Sequence, residues 1–259
     1  MTTLAKHPFN TVSWFDILSP DPAKSREFYA GLFGWTYQLG GPETGHYAMA
    51  QLDGRNAAGI GTLAKDSEHP SAWMAYWSVE NAVDTAMAIV AAQGLIVLPV
   101  MQVMESGFMA LAVDPSGAAF GIWQPIQHGG AQVVSEHGAM GWQECHTRDA
   151  VAARDFYTQV FDIRADKVPD MDYWLFMRGE THLGGVYRDP TMPAQVPPHW
   201  LVYFDVRDTD AAIAVATATG GKLLMAARDT PHGRMAVLAD PFGAPFAVIQ
   251  PAPVLQPPS

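Results

Sequence analysis

Apolar residues dominate Thr11 to Leu18 (TVSWFDIL), with Ser13 and Asp16 between them, and the run reads as the first strand. Ser19-Pro20-Asp21-Pro22 ends it and opens a helix. Asp21 suits the cap because its carboxylate can accept a free backbone N–H, and Pro22 suits the first helical position, where no donor is lost. Phe28, Leu32 and Phe33 recur at helical spacing, and Gly34 stops the run. His46 to Leu52 and Ala57 to Leu63 read as short strands about Asp53-Gly54, and the polar stretch Lys65 to Pro70 follows. A strand from Ala72 to Val79 leads into a helix from Asn81 to Gln93, ended by Gly94. Strands Ile96 to Val103, Phe108 to Val113 and Ala119 to Gln124 complete this stretch. Residues 11–125 therefore contain two units of strand, helix and three strands.

The same order returns. Met140 to His146 reads as a strand and Asp149 to Phe161 as a helix. Strands Tyr173 to Arg178 and Thr181 to Tyr187 flank Gly179-Glu180. Strand His199 to Val206 precedes a helix from Asp208 to Thr219, and three strands end at Gln250. Identities accompany the pattern. EFYAGLFGWT at 27–36 matches DFYTQVFDIR at 155–164, and DPSGAAFGIWQP at 114–125 matches DPFGAPFAVIQP at 240–251. A repeat this long is two copies of one domain rather than a short solenoid period. The expected divisions are a first domain at 1–127, a linker at 128–138, a second domain at 139–252 and a Pro-rich, extended or disordered tail at 253–259.

Composition agrees with two packed cores. The 259 residues are 49% hydrophobic and 16% charged, which argues against disorder. The net charge of -11, with no block of Lys or Arg, disfavours nucleic acid and anionic membranes as partners. Cys145 is the only cysteine, so intrachain disulfides and Cys-based zinc sites are excluded. MTTLAKHPFN has no apolar targeting core, and the chain has no apolar run of spanning length. A cytoplasmic protein is expected, with His7 in a flexible start. Phosphate-loop, dinucleotide and serine-elbow motifs are absent.

Two motifs occur twice and in the same order: D-x6-FY-x3-F (Asp21 to Phe33, Asp149 to Phe161) and DP-x-GA-x-F (Asp114 to Phe120, Asp240 to Phe246). With four strand-helix-strand units they resemble the vicinal oxygen chelate superfamily, the glyoxalase, bleomycin-resistance and extradiol dioxygenase group. The resemblance covers about residues 11–251 and implies an α+β fold of two tandem domains. Each would hold two βαβββ units forming a cup-shaped sheet. Family enzymes bind a divalent metal in the cup through His on first strands and Glu on last strands. The matching positions here hold Trp14 and Trp142, Met74 and Leu201, Gly121 and Ala247, and residues near Gly59 to Gly61 and Gly184 to Val186. None is a good ligand. No metal and no other cofactor is therefore expected.

Other residues on the same strand faces become the candidates. Period-two alternation puts Asp16 beside Trp14, and Glu144 and His146 beside Trp142. A carboxylate in an apolar cup has a raised pKa and can serve as a general base, and Glu144 with His146 could relay a proton or form half of a metal pair. The structural alternative is a carboxylate that satisfies backbone donors or pairs with a cation. Trp14, Tyr76, Trp123, Trp142 and Tyr203 are candidates for stacking on a ligand, and His182 in THLGG for contacting it. His46 is placed at a strand start. Met49, Met74, Met101, Met104 and Met109 read as core filler, and Cys145, of opposite parity to Glu144, as a buried apolar residue.

Three functions follow. The first is metal-independent binding of a small, partly aromatic or apolar molecule. The others are a metal-free lyase or isomerase with Asp16 or Glu144 as base, and a glyoxalase- or dioxygenase-type metal enzyme with atypical ligands. The expected partner is a small molecule. The fused halves imply a monomer with an internal pseudo-dimer, or a homodimer.

Overall fold

A computed structural model describes residues 7–67 and 69–253, so the end of the Pro-rich tail lies outside the described residues. The first repeat contains β1 (Thr11–Ser19), α1 (Pro22–Phe33), β2 (Thr36–Leu39), a 3-10 turn (Pro42–Thr44), β3 (Ala48–Leu52) and β4 (Arg55–Thr62). It continues with β5 (Trp73–Ser78), α2 (Ala82–Ala91), β6 (Leu95–Val103), β7 (Gly107–Val113) and β8 (Ala119–Pro125). The second repeats the order as β9 (Met140–Thr147), α3 (Ala150–Phe161), β10 (Arg164–Lys167), β11 (Tyr173–Arg178), β12 (Thr181–Arg188), β13 (His199–Asp205), α4 (Thr209–Ala218), β14 (Lys222–Thr230), β15 (Gly233–Ala239) and β16 (Pro245–Pro251). The fold is α+β, with two eight-stranded sheets ordered β2-β3-β4-β1-β5-β8-β7-β6 and β10-β11-β12-β9-β13-β16-β15-β14.

The helix signals act as expected. Asp21, Asn81, Asp149 and Asp208 each cap a helix through the side chain, and Gly34 closes α1 at φ 74° in the left-handed region that glycine tolerates. The strands β2 and β10 were not anticipated. Each is a mostly exposed edge segment of four residues, too short and too polar to carry a period-two apolar signal. His46 is a correction: it sits in a turn at φ 60°, and β3 begins two residues later. Met101 and Met104 are corrections as well. They are exposed, Met101 on the edge strand β6 opposite Met109 of β7 and Met104 just after that strand. His7 is also not loose; its Nε2 lies 2.8 Å from the Ala131 carbonyl, and burial lowers its pKa.

The described chain gathers into two compact units that cut across the repeat. One comprises the chain through Asp16, then Met74–Gln132 and Trp142–Leu201. The other comprises Ile17–Trp73, Val133–Gly141 and the chain from Val202 onward. Each unit thus draws residues from both halves of the sequence, and in each the two repeated motifs meet. In the second unit Trp73 Nε1 donates to Tyr29 Oη (3.0 Å), and Tyr29 Oη donates to Asp240 Oδ2 (3.4 Å). Asp240 Oδ1 accepts the N–H groups of Phe242 and Ala244. In the first unit Trp200 Nε1 donates to Tyr157 Oη (2.9 Å), which bonds Asp114, and Asp114 Oδ1 accepts from Ser116 and Ala118. The tyrosine of each FY pair therefore binds the aspartate of the DPxG turn from the opposite repeat.

Aromatic packing surrounds both clamps. Trp77 stacks on Phe161 at 4.2 Å in the first unit, and Phe33 lies against Phe204 at 4.7 Å in the second. Such pairs add to the area they bury. The linker is packed too: Ala131 and Val133 are buried, and Arg55 makes a two-pronged ion pair with Glu136 at 2.8 and 2.9 Å. Tyr29→Phe strands both Trp73 Nε1 and the Asp240 carboxylate, so it is expected to cost about 1–3 kcal/mol. Urea unfolding checks this, with Tyr157→Phe as its twin. Unchanged midpoints in both variants would remove the clamp from the account.

Candidate functional site

Strand β9 carries the densest polar cluster of the first unit. It runs parallel to β12, with Glu144 opposite Gly185 and His146 opposite Tyr187. Trp142, Glu144 and His146 share one face, as the alternation requires. Gln143 and Cys145 take the other. Gln143 Nε2 donates to the Leu183 carbonyl. Cys145 is fully buried with Sγ 3.9 Å from Asp114 Oδ2; burial first, then that carboxylate, pushes the thiol pKa well up, so it is no nucleophile.

Glu144 is held from three sides. Trp142 Nε1 donates to its Oε1 at 3.2 Å, His146 Nε2 lies 3.3 Å from its Oε2, and Tyr173 bonds it as well. The indole N–H also reaches Tyr173 Oη at 3.1 Å. The other ring nitrogen of His146, Nδ1, meets Asp189 Oδ2 at 3.2 Å. Burial alone would lower the His146 pKa, but the hydrogen bonds and charges of Asp189 and Glu144 outweigh it and raise the pKa to about 9. The ring is therefore an imidazolium at neutral pH. The same bond holds Asp189 well below the usual carboxylate range. His199 stacks on His146 at 5.6 Å; burial, the largest cause, lowers its pKa against the bond to the Pro197 carbonyl, and the His146 charge adds to the lowering. Tyr187 meets His146 edge-on at 5.5 Å. Burial, then the Glu144 charge, lifts the Tyr173 phenol far above its ordinary range, so it stays protonated.

The residues at the family's metal positions do not fit a metal. Trp142, Leu201 and Ala247 present no ligand atom. At three glycines a tyrosine fills the space a side chain would need. A Cβ at Gly185 would overlap the Tyr173 hydroxyl, one at Gly121 the Tyr76 ring, and one at Gly59 the Tyr47 hydroxyl. Both ring nitrogens of His146 already have carboxylate partners. Among the described residues no three His, Cys, Asp or Glu side chains form a group that could hold a metal ion.

The first repeat carries a related cluster on its own sheet, also within the first unit. Asp16, 8% exposed, is bonded by Tyr76, whose ring covers Gly121. Trp14 packs edge-on against His128 at 4.4 Å, and Trp123 Nε1 donates to the His128 carbonyl at 2.8 Å. Burial, then the charge of His7, lowers the His128 pKa to about 4. Tyr203 is buried beside Ala247 in the β13–β16 pairing.

His182 lies near the start of β12. It is exposed and pairs with Met177, away from Glu144 and His146. The β11–β12 register shifts between Phe176 and Met177, and Leu183 is the extra residue, so His182 shares the face of Met177 and Tyr173 at the far end of β12. Sequence reasoning missed Tyr173, Tyr187, Asp189 and His199. Alternation along β12 puts Tyr187 on the face of Gly185, so that signal was present in the sequence. Asp189 and His199 lie at a loop and a strand end, where periodicity carries no information.

A family model for the glyoxalase/bleomycin resistance protein/dioxygenase superfamily matches residues 139–248. The chain is 36% identical over 253 residues to a Mycobacterium tuberculosis (strain CDC 1551 / Oshkosh) protein named "Putative glyoxylase CFP32", covering 94% of this chain and 95% of that protein. It is 34% identical over 257 residues to the anthracycline biosynthesis protein DnrV of Streptomyces peucetius, covering 92% of each. Among solved structures, the Mn(II)-bound glyoxalase of Novosphingobium aromaticivorans superposes with a TM-score of 0.63 at 12% identity, over 95% of this chain and 88% of that one. The 2,3-dioxygenase LapB of Pseudomonas sp. KL28 gives the same TM-score and identity, over 100% and 98%. At that identity the likeness shows the fold alone.

Two outcomes follow from the geometry. The folded pKa of His146 is above the ordinary value, so its contribution to stability is complete below pH 6.5 and is lost as pH rises through about 9. Urea melts of wild type and His146→Gln at pH 6.5 and pH 10 test this. The wild-type advantage is expected to shrink at pH 10, and a constant gap refutes it. Gly185→Ala pushes Tyr173 off its seat at an expected cost of about 1–3 kcal/mol, read in the same melts.

Proposed function

Because this chain belongs to the glyoxalase, bleomycin resistance protein and dioxygenase superfamily, we propose that it binds a small, partly aromatic or apolar molecule without a metal. The place is the face of β9, β11 and β12, where Trp142, Tyr173 and Tyr187 offer aromatic surface around Glu144 and His146. One observation carries this reading: the tyrosine seated over Gly185 takes the space of a ligand side chain, while Glu144 and His146 satisfy one another. Aromatic surface with a few fixed polar groups is the usual makeup of a small-molecule site. The relative named for anthracycline biosynthesis supports a planar aromatic ligand class. The Trp14, Asp16, Tyr76 and Trp123 cluster is proposed as a second, more enclosed site of the same kind.

The chain has no helix long and apolar enough to cross a membrane among its described residues. With the acidic net charge and no basic block, this supports a cytoplasmic location and a small molecule rather than nucleic acid as partner. The Tyr29–Asp240 and Tyr157–Asp114 bonds join the two repeats, which supports a monomer whose halves take the place of two subunits.

A second reading is a metal-free lyase or isomerase. It is favoured by the unbroken hydrogen-bonded chain Tyr173–Glu144–His146–Asp189, along which a proton can move. In it Glu144, hydrogen-bonded to Trp142 and His146, is the base. Turnover of a 2-oxoaldehyde hemithioacetal that persists in chelator would favour this reading over binding alone.

The test pairs elemental analysis of chelator-free protein with a fluorescence titration by a planar probe, 1,4-dihydroxyanthraquinone. Saturable quenching that Trp142→Phe reduces is expected, together with about tenfold weaker binding by Glu144→Gln at unchanged fold. Near one equivalent of zinc, nickel, manganese or iron per repeat, or no saturable binding, would sink the proposal.

A further inference from the structure

Asp189 stands outside the strands, immediately after β12, yet it is among the best-anchored side chains of the site. Its Oδ1 accepts the Thr191 N–H at 2.8 Å and the Thr191 hydroxyl at 2.7 Å. Its own N–H donates to the Thr147 carbonyl at 3.1 Å. Only Oδ2 points away from this turn, and it meets His146 Nδ1 at 3.2 Å. The turn is braced from β9 as well, because Arg148 Nη2 donates to the carbonyls of Pro193 and Val196. The segment between β12 and β13 is therefore tied to β9 at two places, and Asp189 is the tie that ends in the site.

We propose that Asp189 is a positioning residue for the ligand site: it fixes the orientation and proton of His146, and through His146 it holds Glu144 and the Tyr173 hydroxyl where the ligand meets them. The proposal rests on the binding reading above. Its atoms form one path. Asp189 Oδ2 accepts a hydrogen bond from Nδ1–H, which leaves Nε2–H to face Glu144 Oε2. Glu144 Oε1 then remains for the indole N–H of Trp142, which also touches Tyr173 Oη. Without the Asp189 carboxylate, the imidazole is free to rotate about its side-chain bonds or to take the other tautomer, and either change leaves Glu144 Oε2 without its donor. The role is the one a carboxylate plays when it orients a histidine whose second nitrogen acts elsewhere.

The charged and titratable groups around His146 are few. From β9 comes Glu144, and from just beyond its end Arg148, which is occupied by loop carbonyls. Asp189 faces the ring from the loop, His199 from β13 and Tyr187 from β12, while Tyr173 of β11 acts through Glu144. Arg188, next to Asp189 in the chain, is paired with Asp172. Removing the Asp189 charge therefore removes one of the two groups that keep the ring protonated against its burial.

Histidine-ring ¹⁵N NMR of the whole chain tests the proposal, with resonances assigned through His146→Gln. In wild type at pH 7.5 both nitrogens of His146 are expected to be protonated; a neutral ring there overturns the idea without any variant. In Asp189→Asn the ring is expected to deprotonate at least about one pH unit lower. In the same variant 1,4-dihydroxyanthraquinone is expected to bind about tenfold more weakly. Asp189→Glu is expected to restore the charged ring, and Thr191→Val, which removes one bond to Asp189 but no charge, to leave it protonated. If Asp189→Asn leaves the His146 titration as in wild type, Asp189 does not position the ring. If wild type shows the charged ring and Asp189→Asn shifts it, but neither protein binds the probe, the binding reading fails while the clamp of Asp189 on His146 stands.

Discussion

Two short hydrogen-bonded chains, Trp73–Tyr29–Asp240 and Trp200–Tyr157–Asp114, hold the architecture together. Each links the first helix of a unit in one repeat to the turn before the last strand in the other. All three groups in each chain are buried, and a buried carboxylate is tolerated only when its oxygens are satisfied. Here one oxygen takes two backbone donors of its own turn and the other takes the tyrosine. The tyrosine is thus required by the aspartate, and the aspartate by the turn. The same logic in both units explains why the chain repeats FY and DPxG together, and why each compact unit contains residues from both halves.

The candidate site follows a similar rule of internal satisfaction. Three ionisable groups, two from β9 and one from the loop after β12, are packed within hydrogen-bond reach, and one imidazolium offsets part of the charge of two carboxylates. The Asp189 carboxylate is a poor proton acceptor, because its bond to His146 already stabilises its negative charge. The arrangement suits a rigid recognition surface better than a strong base. It also places the charged groups behind aromatic side chains, so a ligand would meet Trp142, Tyr173 and Tyr187 with polar atoms fixed in position.

Glycine makes that arrangement possible. Gly59, Gly121 and Gly185 each lie under a tyrosine that would collide with any side chain at the glycine. The exchange is coupled, since loss of the side chain and insertion of the tyrosine ring must occur together. Its occurrence in both repeats points to one packing solution used twice. The resemblance implied metal ligands in this region, and the same glycines that lack ligand atoms create the room the phenol rings occupy.

Much of this was legible along the chain. The repeat, the α+β class, the four helices with their caps, and the shared face of Trp142, Glu144 and His146 all follow from local spacing and local hydrogen bonding. The buried, inert state of Cys145 follows from parity alone. Sequence could not pair His182 with Met177, because that depends on a register shift between β11 and β12. It could not join Asp189 and His199 to His146, nor Tyr29 to Asp240, because those contacts link residues 43, 53 and 211 positions apart. Periodicity reports which face of its own element a residue occupies. Which other element comes to cover that face, and with what charge, is decided by the packing of distant segments, and only the tertiary structure holds that information.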